Sequence, residues 1–290
     1  MTKTIDTLVE DIYSVVDGQG GWTETVNKHM GERLMTTMMT RLNPEPRAGG
    51  TLRMSNLGTP CERKLWYSVN SEGDPIPLLP STKFKFLYGD ILEDLLISLA
   101  EAAGHEVTGF QTTMDIQGIK GHRDCVIDGV TVDVKSASTY SFQKFQQHKL
   151  RTDDPFGYIE QLSSYVYSGR DDPLVRDKTH GAFLAVDKQH GHICLDMYDF
   201  TDEINQKEGR VKYLKEMVKD TTPPTKGFDP EPDGKSGNMS LALNCSYCDY
   251  KKVCYPEVRG FIVGGKPKYL TTVKKEPWSP KYGPCKEFEV

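Results

Sequence analysis

Asp124, Asp133 and Lys135 are the residues whose types and spacing point most directly to chemistry. They lie in the run Gly121 to Ser136, GHRDCVIDGVTVDVKS, where Cys125-Val126-Ile127 and Val130-Thr131-Val132 flank Asp128-Gly129. Asp-Gly between alternating hydrophobic residues is the strongest short-range hairpin signal, so two antiparallel strands joined by a two-residue turn are predicted. Counting outward from the turn pairs Ile127 with Val130, Val126 with Thr131, Cys125 with Val132, and Asp124 with Asp133. Opposed residues have β-carbons about 5 Å apart, and two carboxylates so placed repel unless one is protonated or a cation lies between them. A hard divalent cation bound by carboxylate oxygens resolves the conflict. Strand alternation puts Lys135 on the Asp133 face and turns Val132 and Val134 toward a core. The expected product is a metal-holding acid pair with a lysine beside it.

Positioning these groups needs a chain long enough to bury a core. At 290 residues with 37% hydrophobic content, 14 Tyr and 11 Phe, the chain suits one large domain or one domain with appendages, and wholesale disorder is not expected. The N-terminal MTKTIDTLVE lacks the apolar run of a signal peptide, and nowhere do eighteen apolar residues follow one another. A cytoplasmic protein without a membrane span is the expectation. The net charge of -5 argues against coating nucleic acid by bulk attraction, although basic residues gather in Lys144 to Arg151, at Arg63-Lys64, at Lys251-Lys252 and from Arg259 to Lys286. Seven cysteines form an odd set, which favours a metal site or free thiols over disulfides.

Residues 5–16 and the stripe Trp22, Val26, Met30, Leu34 and Met38 have helical spacing and predict a helical extension over 1–50, stopped by Asn43-Pro44-Glu45-Pro46. A short helix is expected within 55–69, with Cys61 in its first turn, then a proline-rich loop through Asp74-Pro75-Ile76-Pro77 and Pro80. Residues 82–103 form a strong amphipathic pattern closed by Gly104, with Glu93 at the border of its apolar face. Val107 to Ile116 predicts one strand. Asp154-Pro155 predicts a helix start and Gly169 its end. Residues 181–187 and 192–200 predict a strand pair, 202–219 a helix, 221–237 an irregular linker, and 257–290 a basic tail.

Asp124 followed by Asp133-Val134-Lys135 resembles the core of the PD-(D/E)XK nuclease superfamily. Three further patterns extend that resemblance to the RecB-like four-cysteine iron-sulfur exonucleases, such as the CRISPR-associated and AddB-type nuclease domains. Cys61 lies before the acids, while Cys245, Cys248 and Cys254 follow them. Tyr158-x2-Gln161-x3-Tyr165 places three polar groups on one helical face and resembles the Gln-x3-Tyr motif of that group. Gly89-Asp90-Ile91-Leu92-Glu93 resembles the Gly-x3-His element, with Glu93 in place of the histidine and His122 as the other candidate.

The resemblance covers roughly residues 55–256 and implies an α/β fold, restriction-endonuclease-like, with a mixed β-sheet core flanked by helices. Its nuclease domain spans 51–256, and the four-cysteine cluster staples the N- and C-terminal parts. It implies a metal-dependent DNA exonuclease acting from ends, on single-stranded or resected DNA. Glu93, Asp124, Asp133 and the Val134 carbonyl hold Mg2+ or Mn2+ in that reading. Lys135 orients or deprotonates water, and Gln161 and Tyr165 position the strand. Cys61, Cys245, Cys248 and Cys254 hold a [4Fe-4S] cluster, with zinc as the alternative. The competing expectation is a DNA-end-binding or assembly subunit of a recombination or repair complex with little activity of its own; a homo-oligomer is possible in either case.

Overall fold

Asp128 and Gly129 both adopt positive φ, 51° and 83°, the backbone signature of the tight primed turn that matches strand twist. The computed structural model in which they are seen describes residues 3–44, 50–70, 80–281 and 283–290. The predicted loop at Asp74 to Pro77 and the helix-stopping Glu45-Pro46 lie outside the described residues. The turn joins strands Cys125–Ile127 and Val130–Ala137, paired Cys125 with Val132, Val126 with Thr131 and Ile127 with Val130, in the predicted register.

This hairpin belongs to a five-stranded mixed sheet. Val107–Thr108 lies antiparallel to Cys125–Ile127 on one side, and His180–Asp187 runs parallel to Val130–Ala137 on the other, followed by antiparallel Ile193–Asp199. The parallel step is bridged by helices Thr139–Gln146 and Tyr158–Ser168, as a parallel crossover requires. Alternation sends Val130, Val132 and Val134 to one face, where they pack with Ala182, Leu184 and Val186 against Leu96, Ile97 and Ala100 of helix Pro80–Ala102 and against Leu8 and Ile12. The opposite face packs Phe183 and Ala185 against Phe142, Phe145, Leu162 and Val166. Each large apolar side chain so buried contributes on the order of 1.5–3 kcal/mol, which is why the strand carrying Asp133 and Lys135 has a fixed facing.

The fold is mixed α/β, with ten α-helices among the described residues. The chain divides into two compact units, Met1–Gly58 with Pro77–Glu216, and Thr59–Ile76 with Met217–Val290. The first holds the mixed sheet. In the second, Glu231–Pro232, Met239–Ser240, Lys266–Thr272, Arg259–Val263 and Lys286–Phe288 form an antiparallel sheet over Leu241, Tyr255 and Val258.

Several elements differ from expectation. Residues 257–290 carry strands where a tail is expected. Val107–Ile116 is broken, and Thr112–Ile116 turns through Gln117-Gly118 into Ile119–Arg123 as a separate hairpin. The 55–69 segment is two helices, Met54–Leu57 and Glu62–Asn70, with Cys61 just before the second. The Asp154 helix begins at Tyr158 instead: Asp154 accepts the N–H groups of Phe156, Gly157 and Ile159 from outside, and Gly157 at φ 77° turns the chain into the helix.

Candidate functional site

The strand pairing stops at Cys125 and Val132, so Asp124 does not join the ladder. Its Oδ2 instead accepts the N–H of Val134 at 2.8 Å, which holds the Asp124 carboxylate against the strand that carries Asp133. Asp133 is 1% exposed. The Lys135 ammonium forms an ion pair with Asp133 Oδ2, two residues along the same face, and this buried oxygen makes no hydrogen bond of good geometry. Lys135 Nζ also stands 4.9 Å from the centre of the Tyr158 ring.

Glu93 comes to the same place from helix Pro80–Ala102. Burial, then the charges of Asp124 and Asp133, push its carboxyl up to about 9. Burial and then Asp133 push Asp124 up to about 7, against the opposing pull of Lys135 and the Val134 N–H. Burial alone would lower the Lys135 pKa, but Asp133 and Asp124 outweigh it and hold the ammonium above its ordinary value. Burial and neighbouring negative charge thus oppose the ionisation of Glu93 and of Asp124, and a nearby cation would relieve that penalty.

Gln161 and Tyr165 share one helical face, and Gln161 Nε2 donates to the Tyr165 hydroxyl at 3.4 Å. Burial first, then the charges of Asp133 and Asp124, push the Tyr165 phenol up to about 12 against the Gln161 hydrogen bond, which places it beside the carboxylates. The structure therefore brings Glu93, Asp124, Asp133, Lys135, Tyr158 and Tyr165 into one electrostatic group. Val134 contributes its N–H to Asp124. His122 is exposed on the Ile119–Arg123 strand and lines a cavity that includes Tyr165.

Gln111 has no counterpart in the sequence-based assignment. Its Nε2 donates to Glu93 Oε1 at 2.7 Å, from a residue at φ 46°. No sequence pattern marks it, because the contact depends on the turn between Val107–Thr108 and Thr112–Ile116.

The four cysteines fall in the second unit as free thiols. Cys61 precedes helix Glu62–Asn70, Cys245 lies in helix Leu243–Ser246, and Cys254 ends helix Lys251–Cys254. Tyr67 stacks on Tyr250 with ring centres 5.3 Å apart, drawing the Cys61 helix toward the Cys248–Cys254 segment. Burial and then Cys248, Cys61 and Cys254 push the Cys245 thiol up to about 11, so these three lie within electrostatic reach of Cys245. Among the described residues no group of three or more His, Cys, Asp or Glu side chains is arranged to hold a metal ion.

No family model matches the chain, and no curated protein matches it. Among solved structures it is similar to one described as the crystal structure of SSO0001, with 15% sequence identity and a TM-score of 0.41, over 78% of this chain and 96% of that chain. Among the described residues no helix is long and apolar enough to cross a membrane.

Proposed function

We propose that the chain is a metal-dependent deoxyribonuclease of the PD-(D/E)XK type that hydrolyses DNA from its ends. The observation carrying this reading is the meeting of Glu93, Asp124 and Asp133 with the Lys135 ammonium on Asp133. Glu93, Asp124 and Asp133 would hold Mg2+ or Mn2+, and the ion would offset charge on the phosphoryl group and lower the pKa of water.

With no metal bound, Asp133 and Asp124 hold the Lys135 ammonium above its ordinary pKa, so Lys135 would donate to a phosphoryl oxygen and stabilise negative charge, and once a cation offsets the aspartates it would orient or deprotonate the water. The Val134 N–H and the Gln111 amide orient Asp124 and Glu93. Gln161 and Tyr165 offer hydrogen bonds to the strand.

A single-stranded substrate is supported by Phe156, which is 52% exposed although Asp154 fixes its backbone. Its ring lies 5.5 Å from that of Tyr158, which in turn faces Lys135. A rigid exposed aromatic next to the carboxylates is suited to stack an unpaired base. In the second unit Cys61, Cys245, Cys248 and Cys254 would be the thiolate donors of a [4Fe-4S] or zinc centre.

The test is to incubate end-labelled single strands with Mg2+ or Mn2+ beside Asp133→Ala and Lys135→Ala. Cleavage by the unaltered protein alone supports the assignment, and equal cleavage by all three excludes this site. Binding without cleavage by any of them favours the end-binding subunit.

A further inference from the structure

The hairpin Thr112–Ile116 and Ile119–Arg123 builds a second feature beside the carboxylates. Gly121 sits against Met54, where a β-carbon would come 2.6 Å from the Met54 β-carbon, so the hairpin is held hard against helix Met54–Leu57. The same approach forms a backbone bridge between Arg53 and Lys120, and the Asn56 side chain accepts the Arg53 N–H at 2.9 Å. Between these elements lies a cavity of about 600 Å³ walled by Arg53, Ser55, Lys120, His122 and Tyr165.

Its size falls within the roughly 300–1,000 Å³ typical of small-ligand sites, larger than a lone ion requires. Its lining has two cationic side chains, a histidine and three hydroxyls, and no carboxylate among the described lining residues. Lys120 and His122 are exposed, on alternate positions of one strand, and so project to the same side. Tyr165 borders both the carboxylate group and the basic wall of the cavity.

We propose that this cavity is a phosphate-binding subsite, taking a nucleotide phosphate of the strand whose neighbouring phosphodiester lies at Asp124 and Asp133. The subsite rests on the reading that a DNA strand occupies the carboxylate group. Lys120 and Arg53 supply charge, Ser55 and Tyr165 supply hydroxyl groups, and the pinned hairpin fixes their spacing before the strand arrives. Such a subsite sets register: it fixes which phosphodiester of a bound strand meets the acids.

The test uses the full chain with chelator, so that binding is read without cleavage. A fluorescent single strand is titrated by anisotropy across KCl concentrations with unaltered protein, Lys120→Gln, Lys120→Arg and Lys28→Gln, the last on the exposed face of helix Glu24–Leu42. Lys120→Gln is expected to weaken binding about 5- to 10-fold and to reduce the slope of log K against log salt by about 0.7, the single-strand value for one phosphate contact. Lys120→Arg is expected to restore both, and Lys28→Gln to change neither.

Strands with a 5′-phosphate and a 5′-hydroxyl separate the two sources of the anion. An equal Lys120→Gln penalty on both identifies a backbone phosphate, and a penalty confined to the phosphorylated strand identifies a terminal one. An unchanged affinity and slope in Lys120→Gln, or an equal loss in Lys28→Gln, overturns the subsite. When Mg2+ or Mn2+ is then added, cleavage of strands insensitive to Lys120→Gln sinks the subsite and leaves the nuclease reading standing. Lys120-dependent binding without any cleavage does the reverse.

Discussion

Asp124 Oδ2 accepts the N–H of Val134, the residue between Asp133 and Lys135, at 2.8 Å. One hydrogen bond thus ties the acid outside the ladder to the strand bearing the other two groups. Asp124→Asn keeps an acceptor for that N–H and loses the charge, whereas Asp124→Ala loses both. Both variants are expected to lower metal-dependent cleavage on the order of 10²–10³-fold or more. Only Asp124→Ala should also lose stability, by about 1–3 kcal/mol for the orphaned N–H. Steady-state rates and thermal melts of the pair separate the two roles, and equal melts would remove the anchoring one.

The raised carboxyls make a prediction about pH in the absence of metal. Asp124 at about 7 and Glu93 at about 9 both lie above the ordinary carboxylate range. Their protonated forms are the ones the folded state prefers, so the contribution is complete below about pH 4 and is lost as pH rises through 7 and then 9. Melting temperature in chelator is expected to fall across that window, and Mg2+ or Mn2+ to restore it. Glu93→Gln should raise the metal-free melting temperature at pH 8.5, by about 2–4 °C for each kcal/mol recovered. A flat profile insensitive to Glu93→Gln would show that Glu93 is not crowded by the two aspartates.

Phe156→Ala tests the stacking platform. Loss of one base-aromatic contact, about 1–3 kcal/mol, corresponds to roughly a 5- to 150-fold rise in KM for single strands. The turnover number should hold, because Phe156 touches none of the carboxylates, and the KM for blunt duplex should move less. An equal rise for both substrates would argue against an unpaired base at this ring.

The cysteine set predicts a coloured protein. Anaerobically purified material should absorb in the visible, with about four irons per chain expected of a [4Fe-4S] centre. Cys245→Ala and Cys248→Ala should each lose the absorbance and the iron. A colourless protein with one zinc assigns the alternative metal, and metal-free protein with unchanged melting in both variants removes the centre altogether.

Legibility in the sequence followed the strength of local signals. Asp128-Gly129 fixed a register that placed Asp133 and Lys135 on one face, and the apolar spacing of residues 82–103 located the helix carrying Glu93. The second hairpin escaped because its turn uses Gln117 at φ 52°, a conformation usually given to Gly, Asn or Asp, and its return strand Ile119–Arg123 has little alternation of apolar residues. The Asp154 cap was legible as a cap but not in its reach, since Gly157 inserts an extra turn before Tyr158. The strands after Arg259 were partly legible, since Arg259–Val263 and Lys266–Thr272 pair across a two-residue Gly264-Gly265 turn with both glycines at positive φ, a hairpin signal that a reading by basic charge alone passes over, while their outer partners at Met239 and Lys286 lie far away in sequence. Gln111 and the wall of the cavity depend on the unmarked 112–123 hairpin, so nothing local announced them.

The chain also contains one place where a single methyl group acts as a wedge. A β-carbon on Gly58 would fall inside the carbonyl of Gly157, and one on Gly157 inside that of Gly58. These glycines end helix Met54–Leu57 and begin the helix bearing Gln161 and Tyr165. Alanine at either would force apart two backbones about a hundred residues distant along the chain, spoiling alignment while leaving every acid, base and aromatic ring chemically intact.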